Sequence, residues 1–120
     1  SPDFSHAVRY GHSLGLSMAV GTNGFVLNRR KLEDILPHLT YLRINITAGE
    51  PKRYAEIMGV KEEWFHRVCE NIRTMAEIKQ RDRLPVTIGM QMVLMPEFGD
   101  QILPLANLGK SLGADYLVIK

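Results

Sequence analysis

The sequence predicts an α/β fold built on a parallel sheet, and three features carry that expectation. Short apolar runs alternate along the chain with longer segments whose apolar residues recur at helical spacing. No two of the runs stand in tandem, and no hairpin turn sequence joins one to the next. Alternation of this kind requires crossover connections, which set the strands parallel and lay helices over them. Two architectures satisfy the pattern, a doubly wound sheet and an arc of a (β/α) barrel. About four strands are too few to close a barrel but enough for part of one.

The elements follow in order. Residues 3–14 carry Phe4, Ala7, Val8 and Leu14 near the helical period, with Asp3 as an N-cap and Gly15 as a stop. Residues 16–20 are a compact apolar run that reads as a buried strand, and the turn cluster Gly21, Thr22, Asn23, Gly24 ends it. A second helix is expected over 31–36, closed by residues 37–40. Residues 41–46 form a strand with Leu42, Ile44 and Ile46 on one parity, opening into the loop 47–51; residues 51–58 add a turn or so of helix. Over 61–80 the positions Trp64, Phe65, Val68, Ile72, Met75 and Ile78 mark the strongest amphipathic helix in the chain. Pro85 separates it from a long strand at 86–94. Residues 100–112 make a helix ended by Gly113, in which Pro104 is tolerable only within the first turn, and 116–119 make the last strand.

Composition narrows the function classes. With 120 residues, 45% hydrophobic and 23% charged, the chain has the make-up of one packed globular unit. Lys+Arg 15 against Asp+Glu 13 gives a net charge of +2, and the basic residues are dispersed among acids, so no nucleic-acid-binding stripe is indicated. No apolar run approaches the roughly 18 residues of a membrane-spanning helix, so no membrane role is indicated either. The single cysteine, Cys69, has no internal disulfide partner, which suits a reducing cytoplasmic setting, and among Val68 and Ile72 it reads as a small core hydrophobe. His6, His12, His38 and His66 lack metal-ligand spacing, the methionines read as core filler, and no Gly-rich phosphate loop follows a strand. The chain opens without Met and closes on a strand that needs a neighbour, so both ends are expected to be truncated.

In a parallel α/β fold the chemistry lies in the loops after the strands, and these loops carry a family resemblance. The segment Leu16-Ser17-Met18-Ala19-Val20-Gly21-Thr22-Asn23-Gly24 resembles the third strand of radical S-adenosylmethionine enzymes, which ends in a Thr-Asn-Gly turn. Leu42-Arg43-Ile44-Asn45-Ile46-Thr47, followed by Tyr54 and Ile57-Met58-Gly59, resembles their fourth strand, where an R-hydrophobic-S-hydrophobic-D pattern precedes a Y-x-x-I-x-G piece. The strand 86–94 and Leu112-Gly113-Ala114-Asp115-Tyr116 resemble the fifth strand and the approach to the sixth. The similarity runs in register over nearly the whole chain. It implies a partial (β/α) TIM-type barrel, residues 1–120 being an internal part of the core barrel.

The resemblance also implies a cofactor set. The parent enzyme is expected to cleave S-adenosylmethionine reductively at a 4Fe-4S cluster, and the CxxxCxxC loop and the Gly-Gly-Glu segment of the family are expected upstream of Ser1. An electron donor such as flavodoxin or ferredoxin is implied as partner, with a small-molecule or peptide substrate. By the same resemblance Asn45 and Thr47 face the cofactor while Thr22 and Asn23 lie toward substrate; Gln91, an amide in an apolar strand, is a further cofactor candidate and Lys120, just past the last strand, a further substrate candidate. Asn45 and Thr47 depart from the family's Ser and Asp. Asn45 and Gln91 each interrupt an apolar strand and need a polar partner if buried. Four of the candidates also have a plain structural use: Asn45 and Gln91 as satisfied structural amides, Asn23 as ordinary turn chemistry, Lys120 as a solvated strand end. No catalytic or metal-binding residue is expected within the segment, so the segment alone is expected to be inactive. Two alternatives stand beside this reading. An aldolase-type (β/α) barrel lyase would need a Schiff-base lysine, for which Lys120 is the strand-end candidate; a non-catalytic α/β scaffold domain would need neither.

Overall fold

In the computed structural model, which describes residues 2–14, 19–22, 27–93 and 95–120, four strands run parallel and lie side by side in chain order. They are β1 (Ala19–Thr22), β2 (Tyr41–Asn45), β3 (Thr87–Met92) and β4 (Tyr116–Ile119). The helices between and before them are α1 (Pro2–Ser13), α2 (Arg29–Ile35), α3 (Pro51–Met58), α4 (Glu62–Asp82) and α5 (Ile102–Leu112). Order β1-β2-β3-β4 without reversal is that of a barrel arc; a doubly wound sheet would reverse at a switch point. The partial (β/α) barrel is therefore the fold.

One face of the sheet is covered and the other is not. Leu42 and Ile44 of β2, and Ile88, Met90 and Met92 of β3, are fully buried, and they join Leu32, Ile35, Val68, Ile72, Met75, Leu105 and Leu112 of the helices in one core. The alternate residues Tyr41, Arg43, Thr87, Gln91, Tyr116 and Val118 are only half-buried, and Asn45 is exposed. Helix α4 earns its length from the stripe of Phe65, Val68, Ile72, Met75 and Ile78, all buried, with Trp64 packed at its margin.

Several boundaries differ from expectation for identifiable reasons. The first helix begins at Pro2, so Asp3 stands within its first turn and does not cap it, and Gly15 lies outside the described residues. The first strand, expected at 16–20, is described at Ala19–Thr22, where it pairs with residues 41–44 of β2; residues 16–18 and 23–24 lie outside the described residues. Thr22 is thus a strand residue, not a turn residue. The second helix starts at Arg29 because Asn28 caps it, its side chain accepting from the Lys31 N–H at 2.9 Å. Residues Pro51–Met58 form two full turns, opened by Pro51 at the first helical position. Strand β3 stops at Met92, since its partners stop at Asn45 and Ile119. A 3₁₀ segment, Pro96–Gln101, precedes α5, and Pro104 falls in that helix's first turn as required.

Asp115, part of the motif before β4, has a structural task. Its backbone N–H donates to Ile88 O at 2.7 Å, and its carboxylate accepts from the Ile88 N–H at 2.7 Å and from Lys79 Nζ at 2.9 Å. It ties the start of β3 to α4.

Cys69 is 7% exposed within α4, and burial pushes its thiol up to about 11 from 9.0. The unfolded chain loses that proton first as pH rises. The thiol's contribution to stability is therefore complete below pH 9 and is lost as pH passes 11, amounting to about 2–3 kcal/mol if the full shift is realised. Comparison of Cys69→Ala with the parent sequence in urea titrations between pH 8 and 11 should reveal this extra alkaline slope only in the parent. Equal slopes would mean that the thiol is not desolvated.

Candidate functional site

The uncovered face of the sheet is organised in rows by the parallel register. Ala19, Tyr41 and Thr87 form one row; Gly21, Arg43, Gly89 and Tyr116 form the next; Asn45, Gln91 and Val118 form a third, at the carboxyl ends of the strands. None of these residues is acidic. In parallel α/β folds the carboxyl ends of the strands are where binding sites are built, because the connecting loops converge there.

Asn45 and Gln91 are direct Cα partners, and the ladder continues one step past them through the Ile46 N–H, which donates to Gln91 O at 3.0 Å. Asn45 is exposed, between buried Ile44 and Ile46. Thr47 follows just beyond the strand. Two buried side-chain oxygens in this region, Thr47 Oγ1 and Gln91 Oε1, have no hydrogen-bond partner among the described residues. Each such atom costs about 1–3 kcal/mol if left unpaired, so a ligand that donates to Gln91 and exchanges a hydrogen bond with Thr47 would relieve the cost.

The remaining candidates are less closely grouped. Thr22 ends β1 in the register row of Ile44 and Met90, not that of Asn45. Asn23 lies outside the described residues. Lys120 follows β4, its N–H donating to Met92 O at 2.9 Å, and it is exposed.

Sequence inspection missed the group that holds the loops in place. Gln101, 1% exposed, accepts from the Gly49 N–H at 3.1 Å through Oε1 and donates through Nε2 to Glu50 Oε1 and Asp100 Oδ2, both at 2.8 Å. Arg53 closes the arrangement, meeting Asp100 at 3.3 Å, donating to the Glu97 carbonyl and lying over the Phe98 ring at 5.8 Å. The Gln101 amide, then the Arg53 guanidinium, hold the Asp100 carboxyl below its ordinary value. The loop after β2 and the segment after β3 are thereby joined into one rim. The available signal was a lone amide, Gln101, entering the apolar stretch of α5.

The residues present can be tested against the groups the resemblance implies. For S-adenosylmethionine the two orphaned oxygens beside Asn45 are a fit: a polar ligand has acceptors and a hydroxyl awaiting it. For an iron-sulfur cluster they are not. Cluster ligands are thiolates, and Cys69 is a protonated thiol buried in the helix layer. Among the described residues no three His, Cys, Asp or Glu side chains converge as a metal site, and no helix is long and apolar enough to cross a membrane.

Comparison with known proteins adds two likenesses. No family model matches the chain. It is 26% identical over 109 residues to the dTDP-4-amino-4,6-dideoxy-D-glucose ammonia-lyase of Streptomyces venezuelae, covering 89% of this chain and 22% of the lyase. Its fold superimposes on the crystal structure of archaeal TYW1 with a TM-score of 0.77 at 20% identity, covering 99% of this chain and 37% of that one. The chain thus spans between a fifth and two fifths of the proteins it matches. At 20% identity the likeness to TYW1 shows the fold, that of a partial α/β barrel, and the match to the lyase is a distant one over a fifth of that enzyme.

Proposed function

We propose that this chain forms part of the core barrel of a radical S-adenosylmethionine enzyme, its uncovered sheet face being the side turned to cofactor and substrate. The observation that carries the reading is the pair of orphaned buried oxygens, Thr47 Oγ1 and Gln91 Oε1, at the carboxyl ends of strands whose order is that of a barrel arc. The parallel motif register and the partial match to the lyase support it.

In this reading Asn45 and Gln91 bind S-adenosylmethionine through their amides and Thr47 through its hydroxyl, while Lys120 and the region of Thr22 and Asn23 border the substrate. S-adenosylmethionine held there beside a reduced 4Fe-4S cluster of the parent would supply one-electron, hydrogen-abstracting chemistry, and this chain's residues would hold and orient it. The cluster ligands and the contact for flavodoxin or ferredoxin belong to other parts of the parent protein. The work of this chain is to bind, to orient and, through the Gln101 junction, to keep two rim segments rigid. A cytoplasmic setting accords with such chemistry.

The test is cofactor affinity in the anaerobically purified parent. Asn45→Ala should weaken S-adenosylmethionine binding by about 1–3 kcal/mol, the cost of leaving a partner unpaired, with little change in melting temperature. Thr47→Val should weaken binding while leaving stability equal or slightly higher, because it deletes a hydroxyl that has no partner among the described residues. Unchanged affinity together with a sharp fall in melting temperature would make these residues structural. The parent should bind an iron-sulfur cluster and this segment should not; stoichiometric iron in the segment itself would overturn the register of motifs.

A further inference from the structure

We infer that Arg43 is an oxyanion-binding residue of the uncovered face, built to receive a carboxylate or phosphate carried by a small-molecule substrate. The inference rests on the reading of that face as the ligand side and deepens it by naming the substrate's charge.

Arg43 sits in the middle row of the face, with Gly21 on one side and Gly89 on the other. Its Nε donates to the Tyr41 hydroxyl at 3.1 Å, and its guanidinium carbon lies 5.1 Å from the centre of the Tyr41 ring. Tyr41 in turn meets Tyr116, ring centres 5.7 Å apart, and the Tyr116 ring occupies the space directly over Gly89. The guanidinium of Arg43 is therefore held by Tyr41, itself backed by Tyr116, while its terminal N–H groups have no partner among the described residues. Arg9, Arg29, Arg53, Arg73 and Arg81 each meet a carboxylate, and Arg30 and Arg83, which meet none among the described residues, are exposed where Arg43 is half-buried. Arg43 meets none among the described residues, and the three rows of the face contain no acid to supply one.

A half-buried guanidinium without a counter-charge is costly to keep unless it has a use, and its planar fork matches the geometry of a carboxylate or phosphate. Among the described residues there is space for such a group beside it, since none lies within 4 Å of a Cβ added at Gly21. The Asn45–Gln91 row lies one side-chain repeat further along the strands, about 6–7 Å away. An anion on Arg43 would thus lie within the reach of a small molecule that also touches the cofactor row.

The experiment uses the 120-residue chain, labelled with nitrogen-15 and titrated separately with inorganic phosphate and acetate at constant ionic strength. The expected result is a saturable shift of the Arg43 Nε–H signal together with the Gly21 and Gly89 amides, weakened at least about tenfold by Arg43→Gln and partly kept by Arg43→Lys, whose ammonium retains charge without the fork. A response to phosphate alone indicates a phosphate-bearing substrate, and a response to both indicates that a carboxylate also suffices. Asn45→Ala should leave the phosphate response intact, so failure of the cofactor assignment would not mimic failure of this one. The observation on the unaltered chain does not depend on any variant folding. Shifts that never saturate, or equal affinity in Arg43→Gln, would overturn the inference.

Discussion

Gly49→Ala is expected to destabilise the fold by about 3 kcal/mol, the upper end of the cost of overpacking. A Cβ at this position would lie 2.4 Å from Leu105 N and Pro104 C and 2.6 Å from Pro104 O. All three are backbone atoms of the first turns of α5, so no rotamer change can relieve the clash. The loop after β2 would have to move away from α5, and with it would go the hydrogen bond from the Gly49 N–H to Gln101 that joins the rim. Gly89→Ala is the control. Its Cβ would come equally close to another residue, 2.4 Å, but the atom met is the end of the Tyr116 side chain on the open face. That ring can turn aside, and about 1 kcal/mol is the expected cost. Urea midpoints of the two variants measure the difference. A Gly49→Ala variant no less stable than Gly89→Ala would show that the loop is not pinned to α5.

The second large effect belongs to the core. Ile72→Ala should cost about 4 kcal/mol, since Ile72 is fully buried between α4 and the sheet, and a cavity there is walled by elements that cannot collapse inward together. For a chain of 120 residues this lowers the melting temperature by on the order of 15 °C. Leu103→Ala, of the same kind but 69% exposed, should change stability by no more than about 0.5 kcal/mol. If both cost the same, α4 would not be the helix that anchors the sheet.

Periodicity made the fold legible because burial imposes it. The alternation of Leu42, Ile44 and Ile46 with Arg43 and Asn45, and the stripe from Phe65 to Ile78, follow from having one apolar face each, so strand and helix could be named from residues alone. The limits of those elements were less legible. Asn28 as a cap, and the stop of β3 at Met92, are set by a single side-chain bond and by where neighbouring strands run out, and neither leaves a periodic trace. The same holds for the rim. Nothing local marks Gln101 as the partner of Gly49 and Glu50, since those residues lie about fifty positions away and meet only through the crossover of α3, α4 and β3.

Residue pattern was enough for the α/β class, the parallel alternation, the helix-facing core and the parity that sets Asn45 opposite Ile44, because each depends on side-chain polarity repeating along one element. Tertiary structure alone decided between a doubly wound sheet and a barrel arc, since strand order is a property of neighbours and not of any strand. It also decided which polar residues meet. Register made Asn45 and Gln91 partners and set Arg43 in a row without an acid, whereas Thr22 fell in the row of Ile44. A one-residue change of register would reverse all of these placements, and register is fixed by packing the whole sheet against its helices, which no single segment encodes.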